Sequence, residues 1–397
     1  MTLPASGTIS LQSLQTEFSQ SPSSNEALNG YYKGGSYVAN TTTNASIPAS
    51  GQIALSNFYS GSKDYTFNTF QVLTATTGTS AHTVFGLGET FLVSPYATYT
   101  AWISTNNGVS WTSSTPTANT NYYWYSGAIS PSLMVLVGDY TSGGVFYFCY
   151  AYSSNNGVSW TVGTISVTAP QSIQSPLVTY ANGIFTCVCE CYNTSTAQYN
   201  PLVGFWSTNG TSWTGPTTIS TGNYIPPCPP LAVGTGFFCP LLQYSSGTTI
   251  SGSAYITSSD GKTWSAPAAF LTAGYAVNCV AYGNGFYVAV GGTTNAYTSA
   301  FIATSTNGTT WTTFTTISTI SYTRVVYSPQ SGTFIIFFNT GSPNYYPQYY
   351  TFTPPSTLSS ATTLQSNLFY PYAICVSDKG QIIVGGSDGN YTAISHT

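Results

Sequence analysis

Ser258-Ser259-Asp260-Gly261-Lys262-Thr263-Trp264 is the stretch on which the fold turns. Its form returns in Ser207-Thr208-Asn209-Gly210-Thr211-Ser212-Trp213 and in Ser305-Thr306-Asn307-Gly308-Thr309-Thr310-Trp311. Ser104–Trp111 and Ser153–Trp160 repeat it one residue longer, around Asn106 and Asn155. Asn-Gly and Asp-Gly between apolar runs are strong hairpin signals, because these residues tolerate positive φ. The hydroxyls and the Asn or Asp oxygen can bond turn amides, and the tryptophan closes the gap beside the turn.

Trp111, Trp160, Trp213, Trp264 and Trp311 follow one another at 49, 53, 51 and 47 residues. Two further strand-like runs precede each turn. Each unit therefore reads as four antiparallel strands in about 40–50 residues, the signature of a β-propeller blade. Units begin near Thr83, Tyr123, Pro176, Pro229, Val277 and Arg324, and a seventh at Tyr372 stops one strand short. In the sixth, Thr353-Pro354-Pro355 replaces the polar turn. The run from Tyr65 to Leu73 supplies the missing strand, which protects the last sheet edge. The expected fold is all-β: a seven-bladed propeller over 65–397, with 65–76 completing the last blade, plus a small mixed α/β module at the N-terminus.

The five turns resemble the Asp box, or BNR repeat, of sialidases and related propellers. Asn replaces Asp in four of them, and three are a residue shorter than the usual form. In that family the box is a structural turn between the third and fourth strands. The resemblance therefore implies fold and not chemistry.

Residues 1–62 read as a separate module, joined through a linker at 60–64. They contain a duplication: Leu3–Leu11 matches Ile47–Leu55 at an offset of 44. Ser10 is a suitable N-cap for a short helix with Leu11, Leu14 and Phe18 on one face. With Phe58 and Tyr59 after the second copy, these residues form the expected docking set. The Pro-x-Ser-Gly-x-Ile-Ser-Leu opening, Glu17-Phe18, Tyr31-Tyr32-Lys33-Gly34-Gly35 and the second copy resemble a module at the start of virion structural proteins of tailed bacteriophages, especially marine and cyanobacterial ones. That resemblance implies a tail or fibre protein with other virion proteins as partners, homo-oligomeric in the particle. It also implies assembly in the host cytoplasm; the start of the chain has no signal-peptide pattern.

Charge narrows the chemistry. The 397 residues hold 5 Lys+Arg, 9 Asp+Glu and 2 His, and Arg324 is the sole arginine. A nucleic-acid groove needs many cations and is excluded. No run is long enough for membrane insertion. A sialidase needs three arginines for its substrate carboxylate, so that activity is excluded within one subunit. Other glycosidases need two carboxylates about 5–10 Å apart. Asp260, Asp378 and Asp388 read as turn residues and Glu89 lies in a glycine turn, leaving Glu190 without an evident structural role. His82 and His396 form no triad pattern. Cys187, Cys189 and Cys191 alternate on one strand face. They read as small core residues in preference to a metal site, because zinc ligands are usually spaced further apart. No catalytic residue, metal or cofactor is expected.

Tyrosines are the remaining functional signal. Tyr122, Tyr123 and Trp124, with Tyr345 and Tyr346, crowd strand starts and polar loops, and tyrosine is a rigid amphipathic contact residue. The leading reading is a non-enzymatic phage virion protein docked through 1–62, presenting its propeller to a host-surface glycan or protein. The alternatives are a glycan-processing enzyme on the particle and a spacer subunit.

Overall fold

The computed structural model describes residues 31–32, 38, 46–50, 58, 67–74 and 81–396, except for 96–98, 107, 109, 167–170, 194–197, 246–248, 272–273, 294–298, 319, 330, 341–346, 364–372, 377–381 and 386–389. The chain divides into two compact units, one holding residues 1–68 and the other nearly all the rest.

The larger unit is an all-β propeller. Six blades are built from consecutive strands, over 81–114, 122–165, 171–220, 224–269, 275–318 and 320–363, one fewer than the seven units expected from the repeat. They are numbered 1 to 6 in that order. A further four-stranded sheet is composite: strand Phe67–Thr74 lies against Asn390–His396, which is followed by Ile382–Gly385 and Ala373–Val376. The first strands of successive blades pack on one another, and Ala373–Val376 lies against those of blades 6 and 1. The first strands thus form the inner wall of a ring.

Two blades begin earlier than the repeat suggests. Blade 3 starts at Gln171, before Pro176, because its first strand runs on through a bulge between Gln174 and Leu177, with Ser175 at φ 41°. Blade 4 starts at Tyr224, before Pro229. Its first strand is split into Tyr224–Ile225 and Leu231–Val233 by Pro226-Pro227-Cys228-Pro229-Pro230, where prolines have no amide to give the ladder. Bulges recur at the matching register in the other inner strands, between Ala81 and Thr83, Trp124 and Ser126, Val277 and Cys279, and Ser321 and Thr323.

The core lies between blades. Val135, Val137 and Phe148 of blade 2 meet Phe185, Cys187, Cys189 and Phe205 of blade 3, and Phe148 stacks on Phe205 with centroids 4.0 Å apart. Full burial of such side chains contributes roughly 1.5–3 kcal/mol each. The three alternating cysteines are buried and unbridged within this packing.

The polar turns share one hydrogen-bond scheme. The Asp260 carboxylate accepts from the Lys262 and Thr263 amides, both at 2.8 Å, and from the Ser258 hydroxyl at 3.0 Å. The Gly261 amide donates to Ser258 Oγ at 2.8 Å. Asn209 and Asn307 do the same through Oδ1. In the longer turns Asn106 and Asn155 accept from the amides of Ser110 and Ser159, and their Nδ2 groups donate to the hydroxyls of the same serines. The shorter turns use only the acceptor oxygen, so Asn serves there as well as Asp. The indoles of Trp111, Trp213 and Trp311 donate to the glycine carbonyl of their own turn. Each ring is half-buried against the preceding blade: Trp213 lies 5.6 Å from Phe148, and Trp311 lies 6.3 Å from Phe238. Trp264 packs beside Val188 and Leu202 of blade 3. Trp160 instead donates to Ser114 of blade 1.

In the smaller unit, Tyr31, Val38, Ile47 and Phe58 are buried, and Tyr31 meets Phe58 edge-on at 6.3 Å. Phe58, expected on a docking face, is 2 % exposed and packs edge-on against Tyr31, so its ring is not free for a partner. Leu11, Leu14, Phe18 and Tyr59 lie outside the described residues.

Candidate functional site

Register separates the ring into two ends. In blade 3, Phe185 pairs with Ser207 beside the first-to-second strand turn, so the Asp-box turns share that end. Inner-strand starts and second-to-third strand turns occupy the other end. In blade 2 this second end carries Tyr122 paired with Tyr140, which pairs with Tyr147. Ring centroids are 4.5 Å apart for Tyr122 and Tyr140, and 6.3 Å for Tyr140 and Tyr147. Tyr99, in blade 1 just before its third strand, lies 5.4 Å from Tyr123. The hydrogen bond that the Tyr123 hydroxyl donates to Tyr99, with the charge Tyr99 would carry, holds the Tyr123 phenol above its usual range. All five tyrosines are half-buried.

Of the sequence candidates, Tyr122 and Tyr123 are in this cluster. Trp124 is not a contact residue: it is 0 % exposed, packed among Leu92, Met134 and Leu136. It shares a strand face with Tyr122 but sits deeper, opposite Gly138, and its indole nitrogen has no hydrogen-bond partner. Tyr345 and Tyr346 lie outside the described residues. Sequence reasoning missed Tyr99, Tyr140 and Tyr147, because only pairing across strands brings them to Tyr122 and Tyr123.

Beneath the cluster lies Asp139, opposite Tyr123 in the ladder and 0 % exposed. Burial raises its pKa to about 7, with the Tyr125 hydroxyl working the other way. Glu190 is its counterpart in blade 3. Each acid stands five residues past the partner of the first Asp-box serine, Met134 opposite Ser153 and Phe185 opposite Ser207. Glu190 is 4 % exposed, and burial raises its pKa to about 8. Its strand alternation directs it with Val188, which packs on blade 4. Leu242 fills the same position in blade 4. Glu190 is thus directed toward blade 4 with little exposure.

Arg324 lies on the inner wall, donating to the carbonyls of Asn278 at 3.4 Å and Thr323 at 3.1 Å. Glu89 is exposed in a turn, and Asp260 is held by its turn amides. Among the described residues, no three His, Cys, Asp or Glu side chains gather as a cation site, and no helix is long and apolar enough to cross a membrane.

No protein-family profile matches the chain, and no curated protein matches it. Solved structures do. A YCF48 protein bound to D1 peptide aligns at 14 % identity and TM-score 0.55, covering 83 % of this chain and 96 % of that one. A chain of the mitotic checkpoint complex aligns at 11 % and TM-score 0.56, covering 84 % and 94 %. An α-L-arabinanase of Penicillium chrysogenum, complexed with arabinobiose, aligns at 13 % and TM-score 0.51, covering 81 % and 98 %. At such identities the likeness is one of fold, the β-propeller.

Proposed function

We propose that this chain is a non-enzymatic recognition propeller, with its tyrosine rim as the contact surface for a glycan or protein. The observation that carries the reading is a pair of tyrosine groups at one end of the ring, Tyr122 with Tyr140 and Tyr147, and Tyr99 with Tyr123, each preorganised by its own ring contacts. Aromatic faces with hydroxyl tips suit sugar rings and peptide groups, and ordering them in advance lowers the entropic cost of binding. In the same reading the composite sheet counts as a seventh blade that closes the ring. The module at 1–62 docks the propeller among the proteins of a phage-type particle, as one of several identical copies facing a host surface.

The binding half is tested on a glycan array and on host-surface extracts. Tyr122→Ala with Tyr123→Ala should weaken binding at least ~30-fold, on the scale of two aromatic hot spots. With so few charges on the chain, raising salt from 50 to 500 mM should change affinity by less than about threefold. A strong salt dependence, or full binding by the double variant, rejects the rim. The docking half predicts that deleting 1–62 abolishes incorporation into particles while the propeller stays folded. Incorporation of the truncated chain rejects it. Imaging that finds the rim covered by neighbouring subunits favours a spacer.

A further inference from the structure

Blades 4, 5 and 6 bring together three groups that the recognition reading does not use. Cys228 sits at the centre of the proline segment that splits the inner strand of blade 4. Cys279 follows the bulge on the inner strand of blade 5. Their thiols hydrogen-bond to each other, within one cluster that includes Val325 of blade 6. Cys279 Sγ also lies 3.5 Å from the Val325 carbonyl oxygen. Arg324 is anchored on the carbonyl of Asn278, the residue next to Cys279.

We propose that Cys228 and Cys279 form a peroxide-reactive dithiol in the inner wall, with Cys279 as nucleophile, Cys228 as resolving thiol and Arg324 as the positioning cation.

Four observations support this. First, both cysteines pack in one cluster with their thiols as neighbours, the arrangement from which a disulfide can close. Second, Pro226-Pro227-Cys228-Pro229-Pro230 has no ladder pairing to break when Cys228 shifts toward Cys279. Third, Cys228 and Cys279 are 8 % and 7 % exposed, whereas Cys149, Cys187, Cys189 and Cys239 are 0 %. Fourth, the thiols differ in kind. Burial holds Cys191 and Cys375 at about 12, while hydrogen bonding from Cys228 and the Arg324 charge bring Cys279 down to about 7. The thiolate is the form that attacks.

In the reaction, the Cys279 thiolate attacks the outer oxygen of a hydroperoxide. The O–O bond breaks, the released alkoxide takes a proton, and Cys279 becomes a sulfenic acid. The Cys228 sulfur then attacks Cys279 Sγ. An S–S bond forms, the S–O bond breaks, and hydroxide leaves with the Cys228 proton as water. Two thiols and one hydroperoxide give a disulfide, an alcohol and water.

The test treats the full-length protein with hydrogen peroxide under native conditions. Intact mass should fall by about 2 Da, and a non-reduced digest should yield a peptide joining residues 228 and 279. Loss of the Cys279 thiol should outpace that of Cys375 at least ~10-fold. Cys228→Ser should leave a sulfenic acid on Cys279 that dimedone traps, and Arg324→Gln should slow the first step about tenfold in the wild-type cysteine background. Oxidation of Cys375 ahead of Cys279, or a disulfide joining any other pair, overturns the proposal. So does a wild-type protein that gains oxygen without forming the 228–279 link.

Discussion

Unfolding free energy is expected to fall by a few kcal/mol as pH rises from 5 to 7, and the variant carrying Asp139→Asn and Glu190→Gln should lose most of that slope. Burial raises Asp139 from 3.8 to about 7, and Glu190 from 4.5 to about 8. Over most of this interval the folded chain keeps two protons that the unfolded chain has released, Asp139 giving up its own only as pH approaches 7. Stability falls with pH wherever the folded state binds more protons, by up to about 1.4 kcal/mol per group and pH unit. Relaxation of the site and entering water reduce this, so a total on the order of 3 kcal/mol is the working expectation. The interval stops at pH 7 because Cys279, lowered to about 7, contributes with the opposite sign above it. Asp260 is lowered by its turn amides, so its contribution falls at acid pH, below the interval. Urea unfolding of both proteins at pH 5, 6 and 7 decides the matter. Parallel curves for wild type and double variant would mean that the two acids ionise in the fold as they do in the open chain.

Gly138→Ala and Gly291→Ala should each cost roughly 3–5 kcal/mol, the range of severe backbone clashes in a packed core. Gly138 pairs with Trp124 and Gly291 with Val277, both immediately before an inner-strand bulge. A Cβ on Gly138 would stand 1.9 Å from the Tyr123 carbonyl oxygen, and one on Gly291 2.0 Å from that of Ala276. These contacts are to backbone, so no rotamer change relieves them. Gly252→Ala is the control. It is also in a strand, yet its new methyl would meet only the tip of Gln243, at 3.8 Å. Midpoints of urea unfolding for the three variants give the comparison. If Gly291→Ala unfolds within about 0.5 kcal/mol of Gly252→Ala, the bulge is more yielding than its geometry implies.

Much of the propeller was legible in the sequence because its turns use local chemistry. Ser258, Asp260 and Gly261 satisfy one another within four residues, and that requirement is written into consecutive letters. Blade starts were less legible. Pro176 and Pro229 looked like boundaries, whereas the first lies in a bulge and the second in a split strand. The candidate site was half legible. Tyr122 and Tyr123 stand out as a run, but Tyr99, Tyr140 and Tyr147 reach them only through the sheet. Trp124 belongs to the same run and shares the face of Tyr122, but its place opposite Gly138 buries it fully. Asp139, in Val137-Gly138-Asp139-Tyr140, carries no local signal of its burial, and its equivalence to Glu190 emerges only from pairing register.

The composite sheet imposes an order on synthesis. Strand Phe67–Thr74 emerges from the ribosome before the six blades, yet its partner Asn390–His396 is translated roughly three hundred residues later. At about 5–20 residues per second the early strand stays unpaired for tens of seconds, with its edge exposed to other nascent chains. A slow translation pause placed after the sixth blade would lengthen that exposure and should lower soluble yield more than the same pause placed before the first blade.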